Sequence, residues 1–343
     1  EAAGAYKKLG YACYRAGRTA ETAEEYVEQN KSAFKAYKEA ENLFKQSGNR
    51  PEELECEAEA IFASGSVAAS VAEGKKAFSQ AYELFIESSE HYSKEDDRES
   101  LARVLSRAAA ASSCLTMYCS DRWEIEQLIQ KGRDVADKAW KLSKDVGNVQ
   151  SLAESLFAET GLGWVEMMIV PFKWDERWRE YYSKLILRCD ESLKLAEDCG
   201  DPLVLGMIYH MTGVWHCGFG FQFVEDEREQ REYIDKGLEL GEKALVFAKK
   251  AKDKPLIISC LYWLDFHAFL AGRIEYVQKR IFDDLQEMVE LGKIYADLCN
   301  LWRFYTNLLP SAYYANFAQR SFFTPAQRKS YAEKAIEHSK ESL

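Results

Sequence analysis

Along the chain a small residue and an apolar one recur three apart and are followed by glycine and then Asn or Asp. Ala40, Leu43, Gly48 and Asn49 form one such set, and Ala139, Leu142, Gly147 and Asn148 a second. Ser192, Leu195, Gly200 and Asp201 form a third, and Ala244, Phe247, Lys252 and Asp253 a fourth with lysine in place of glycine. Residues three apart share a helix face, glycine accepts the left-handed conformation that ends a helix, and Asn or Asp caps the next one. The sets are spaced by 99, 53 and 52 residues, which leaves one unit hidden in the first gap, where Ser88, His91 and Asp97 stand. At an offset of 52, Thr160-Gly161 matches Thr212-Gly213, Arg179-Glu180-Tyr181 matches Arg231-Glu232-Tyr233, and Lys184 matches Lys236. A period near fifty suits two antiparallel helices and a connection, so about seven hairpins fill the 343 residues.

The prolines agree with this reading. Pro51, Pro202, Pro255 and Pro325 each follow turn-like residues and predict helix starts, because the first helical turn does not need the missing N–H. Thr324-Pro325-Ala326-Gln327 has the pattern of a capping box. Pro171, after Met167-Met168-Ile169-Val170, predicts a break with Phe172-Lys173-Trp174 as a contact loop, and Pro310 predicts another break or kink. Asn-Gly and Asp-Gly hairpin turns between alternating segments are missing, so the chain reads as all-α. Gly218-Phe219-Gly220 reads as a hairpin bend.

Tyr6, Leu9, Gly10 and Cys13, followed by Ala16-Gly17-Arg18, resemble the first helix and turn of a tetratricopeptide repeat; Tyr331, Ala332, Ala335 and Ile336 resemble the opening of a last one. The chain is similar throughout to divergent tetratricopeptide-like arrays, although the usual period of that family is 34. The resemblance implies a right-handed superhelical solenoid of about seven helix-turn-helix hairpins that binds a partner on its concave face. It also implies a sensor or scaffold arm of a larger regulatory protein, as in signal-transducing NTPases and transcription regulators. Residues 1–343 are read as one solenoid, a piece of a longer chain that starts at Glu1 without Met.

Composition narrows the classes of function. Forty-five Lys and Arg against 56 Asp and Glu give a net charge of −11, which argues against a general nucleic-acid binder. No apolar run is long enough to span a bilayer and no signal peptide opens the chain, so no membrane partner is expected. The nine cysteines are scattered without tight spacing, which points to a reducing, cytoplasmic setting. His210 and Cys217, and likewise Cys260 and His267, share helix faces seven residues apart, but about 10 Å separates the members of each pair along the axis, too far for one metal. Nucleophile elbows and phosphate-binding glycine loops are missing, so no cofactor, metal or enzymatic activity is expected. The run Lys249–Lys254 reads as cations complementing a helix C-terminus, and Lys94–Arg98 and Glu225–Glu229 read as solvated helix faces.

The aromatic residues supply the candidate site. Trp164, Trp174 and Trp178 crowd one hairpin, Trp215 with His216 the next, then Trp263 with His267, then Trp302. Offsets of 52 and 51 place Trp164, His216 and His267 level in three adjacent units, the shape of a groove with Arg177, Arg179 and Arg231 as a charged rim. Large rings at helical spacing also serve as core, and that reading stands beside the groove. The groove predicts a protein or peptide partner, or another domain of the same full-length chain. The competing class is a receptor for a small molecule or short peptide, with Trp164, Trp215, Trp263 and the histidines closing a pocket.

Overall fold

The computed structural model describes residues 1–169, 176–294, 314, 315, 319 and 324–341. Their elements are helices, paired as α1 (Ala2–Arg18) with α2 (Ala23–Ser47), α3 (Arg50–Gly65) with α4 (Val71–Lys94), and α5 (Arg98–Thr116) with α6 (Arg122–Val146). Then come α7 (Val149–Ile169) with α8 (Glu176–Ala196), α9 (Pro202–Phe223) with α10 (Glu227–Ala251), α11 (Lys254–Leu270) with α12 (Ile274–Lys293), and finally α13 (Pro325–Glu341). Helices α1 to α12 pack mainly on the helices one or two places along the chain, so the hairpins stack into an all-α solenoid, as the repeat predicts.

The junction from one hairpin to the next has the same chemistry each time. Gly48, Asp96, Gly147, Gly200 and Lys252 take left-handed φ values of 71°, 56°, 72°, 68° and 56°. The residue that follows, Asn49, Asp97, Asn148, Asp201 or Asp253, accepts a hydrogen bond from a backbone N–H in the first turn of the new helix. The hidden unit is therefore real and begins at Asp97. The charged run Lys94–Arg98 is this junction rather than a helix face, and Asp226 in the other run caps α10. Lys252 adopts the left-handed conformation with a side chain that disfavours it. Lys252→Gly is expected to stabilise the fold by about 1 kcal/mol, read from the urea midpoint.

The four prolines start α3, α9, α11 and α13 as expected. Thr324 and Gln327 form the capping box, with reciprocal hydrogen bonds of 3.0 and 3.2 Å. Gly218-Phe219-Gly220 is not a bend: it lies within α9. There a Cβ on Gly218 would be 3.1 Å from Tyr182 and one on Gly220 would be 2.8 Å from Tyr233, so the glycines make room for rings. At Gly213 and Gly237 the helices α9 and α10 approach backbone to backbone. A Cβ on either would stand 2.7 or 2.8 Å from the other's carbonyl oxygen. The predicted features at Pro171, Phe172, Lys173, Trp174, Trp302 and Pro310 lie outside the described residues.

The second helices of the units are amphipathic, while the first helices α3, α5, α9 and α11 are buried on most of their circumference. α9, for example, has sixteen buried residues of 22. α1 differs, with only Gly10 and Gly17 buried. The largest core cluster joins α6 through α13 around Tyr182, Leu185, Ile208, Met211 and Leu256. The cysteines among the described residues carry free thiols. No helix among them is long and apolar enough to cross a membrane.

Candidate functional site

Residues one period apart on the first helices of adjacent units meet as charge pairs. Arg103 of α5 grips Glu55 of α3 through two hydrogen bonds of 2.7 and 2.9 Å, and Arg107 grips Glu59 through two of 2.7 Å. Arg107 also lies over the Phe62 ring, 4.3 Å from its centroid. Burial works against the charge of Glu55, but Lys7 and Arg103 outweigh it and hold its carboxyl down to about 2. The second helices carry a parallel ladder, with Lys144 on Glu191 at 2.6 Å and Lys184 on Asp137 at 3.1 Å. The first ladder follows from the 48-residue spacing of the caps Asn49 and Asp97, which sets each position of α5 beside its equivalent in α3.

Across the face made by the first helices runs α1. One side of α1 presents Lys7, Tyr11, Tyr14, Arg15 and Arg18, successive steps of four, three, one and three. Lys7 reaches Glu52 and Glu55 of α3 at 2.6 and 2.8 Å. The Tyr14 ring lies under Arg107 of α5, centroid at 5.3 Å. Tyr11 Oη accepts from Gln150 Nε2 of α7 at 2.7 Å. Arg15 stands 3.9 Å from Asp201, the cap of α9. Arg18 donates to both oxygens of Asp253, the cap of α11, at 2.5 and 2.9 Å. Lys254 answers from the other side, donating to the Ala20 carbonyl at 2.5 Å and to Glu21 at 2.6 Å. The first hairpin thus touches five units beyond its own and closes the solenoid on itself.

The residues singled out from sequence are placed as follows. Trp174 and Trp302 lie outside the described set. Trp178 is buried beside Tyr181 and Tyr182, with ring centroids 5.9 and 6.3 Å away. Trp215 is buried, donates from Nε1 to Thr160 Oγ1 at 2.9 Å and meets Tyr182 edge-on at 4.8 Å. His216 is buried on Tyr233, with Nε2 3.2 Å from Asp190. His267 is buried between Phe221 and Trp263. Trp164 and Trp263 are half-buried, and Arg179 is exposed together with Arg177 and Arg231. Trp164, His216 and His267 do not share a register: they stand sixteen, fifteen and fourteen residues beyond the caps Asn148, Asp201 and Asp253. The true equivalents of His267 are Trp215 and Leu162, and all three are buried. That helix position faces the core in every one of these units.

His210 and His267 nevertheless converge, with Cys260 and Trp263, on a cavity of about 10 Å3 between α9, α10 and α11, the size of a single water. His210 Nε2 is 2.8 Å from Ser259 Oγ. Burial pushes both imidazoles down to about 3, so both are neutral at pH 7. Among the described residues, no group of three or more His, Cys, Asp and Glu side chains is placed to hold a metal ion.

The polar face of α1 and its docking points at Gln150, Asp201, Asp253 and Lys254 were not recognised from sequence. The signal was present in the stripe of Tyr11, Tyr14, Arg15 and Arg18, which is too polar for a helix face buried in a core. Lys254 belongs to the run assigned to a helix C-terminus; in fact it lies at the start of α11 and binds the end of the first hairpin.

No protein-family model matches the chain, and no curated protein matches it. Among solved structures it is similar to a circular tandem repeat protein with novel repeat topology and enhanced subunit contact surfaces. The identity is 12% and the TM-score 0.34, over 99% of this chain and 85% of that one. The chain itself is an all-α helical-repeat solenoid, an architecture suited to protein interaction.

Proposed function

We propose that the chain is a non-enzymatic, tetratricopeptide-like scaffold or sensor arm of a larger cytoplasmic regulator, and that it recognises a helical segment of a protein partner. The observation that carries this reading is the grip on α1. The face lined by α3, α5, α7, α9 and α11 holds an amphipathic helix through one or more side chains from each of them. A face that can hold one helix in this way has the donors and acceptors to hold another. The half-buried Trp164 and Trp263 and the exposed Arg179 are proposed as contacts at its margin. The free thiols suit a reducing compartment.

The small-molecule receptor is the second reading; the cavity beside His210 and His267 is the size of a single water, so this reading needs a ligand to open the space between α9, α10 and α11. Photo-crosslinking separates the two. A photoreactive residue is placed at Gln150 on the face of α1 contact, and another at Leu187 on the exposed outer surface. In native extract, a discrete adduct from position 150 and not from position 187 is the expected result. Adducts only from position 187 would move the site to the outer helices. A small molecule retained by the purified chain in native mass spectrometry, with no protein adduct, would favour the receptor.

A further inference from the structure

The contacts that close the solenoid differ in kind from those that build it. Hairpin meets hairpin through a continuous apolar core flanked by charge pairs such as Arg107 with Glu59. By contrast, α1 meets α7, α9 and α11 largely through hydrogen bonds and charge pairs, with no comparable core beneath them among the described residues. Two of these pairs form a reciprocal set: neighbouring Asp253 and Lys254 bind Arg18 and Glu21, so each side supplies one charge of each sign. Asp253 and Asp201 already accept from the backbone N–H groups of Leu256 and Leu203, which fixes the carboxylates whether or not an arginine is present. The receiving side is therefore preformed. Directional, charge-matched groups fixed in this way accept any helix that repeats their pattern, and exchange there forfeits little apolar burial. On its other sides α1 packs Gly10 against the Tyr37 ring of α2 and leaves Tyr6 and Leu9 exposed.

We propose that α1 is an intramolecular occupant of the binding face, and that the external ligand is a helix bearing an aromatic residue and two cations at the spacing of Tyr11, Arg15 and Arg18. It engages Gln150, Asp201 and Asp253 once the end of α1 leaves them. This rests on the reading of that face as a helix-binding surface, and it adds that the face is closed at rest by the chain's own first helix.

The test uses the full chain and a fluorescein-labelled peptide of residues 2–21 as the probe. Arg15→Glu/Arg18→Glu in the full chain places like charges against Asp201 and Asp253 and frees the face with both helix caps intact. The variant is expected to bind the peptide at least 10-fold more tightly than the parent chain does. Backbone amides of residues 11–20 are expected to exchange at least 10-fold faster with deuterium in the variant. Adding Lys254→Glu to the variant is expected to reverse the preference at the last contact, so that a Glu21→Lys peptide binds better than the original. Thermal unfolding reports whether the variant is folded; if it is not, the milder Arg18→Gln chain is used with the same peptide, and equal binding by it and the parent overturns the proposal. Unchanged exchange in α1, or equal peptide binding by parent and variant, also overturns it. The crosslinking at position 150 tells the two readings apart: a protein adduct there without release of α1 keeps the scaffold and removes the internal occupant.

Discussion

Gly237→Val is expected to be among the most damaging single changes in the protein, lowering stability by about 3 kcal/mol. A Cβ at this position would lie 2.4 Å from Cys217 Sγ, 2.8 Å from the Gly213 carbonyl oxygen and 2.9 Å from the Cys217 backbone nitrogen. Two of these three are main-chain atoms of a helix that cannot turn aside, so α10 has to back away from α9. Separation there also loosens the largest core cluster, because α9 is covered by α8, α10 and α11 at once. The urea midpoint measures the loss, and hydrogen exchange locates it in α9 and α10. Gly4→Ala is the matched control: its Cβ meets nothing within 4 Å, and it gains helix propensity. A Gly237→Val chain as stable as the control would show that the two helices are not in backbone contact.

Arg107→Leu is expected to cost about 3–5 kcal/mol, because it strands the buried Glu59 carboxylate without its fork of two 2.7 Å hydrogen bonds. The leucine keeps part of the packing on Phe62 but none of the cation's attraction to the ring. Glu59→Leu/Arg107→Leu is expected to regain most of the loss, since removing both charges leaves no unpaired group behind. Urea unfolding of the parent, the two single variants and the double variant at pH 7 closes the cycle. Additive losses would mean that the two side chains do not depend on one another.

The elements set by local chemistry were legible in the sequence. An Asn or Asp that follows a left-handed residue writes a helix junction into two adjacent letters, and the four prolines each mark a first turn. The unit at Asp97 was fainter, because Asp96 rather than glycine takes the left-handed position. The aromatic register failed for a similar local reason. The caps of α7, α9 and α11 are 53 and 52 residues apart, so matching at 52 and 51 loses one residue per step, or 100° on a helix. His216 and His267 consequently looked like lining and are buried in the core. The contact of α1 with α11 is another kind of problem. It depends on the small rotation between units, summed over the array, and no short stretch of sequence carries that sum.

Open solenoids can lengthen or shorten by whole hairpins, since each added unit sees only its neighbours. The pairing of Arg18 with Asp253 and of Glu21 with Lys254 removes that freedom here. Inserting or deleting one hairpin between α3 and α10 would carry the start of α11 away from the first turn and set a different unit before it. The number of repeats in this stretch is thus counted by the molecule itself, and gene duplication cannot alter it without also rewriting both ends of the count.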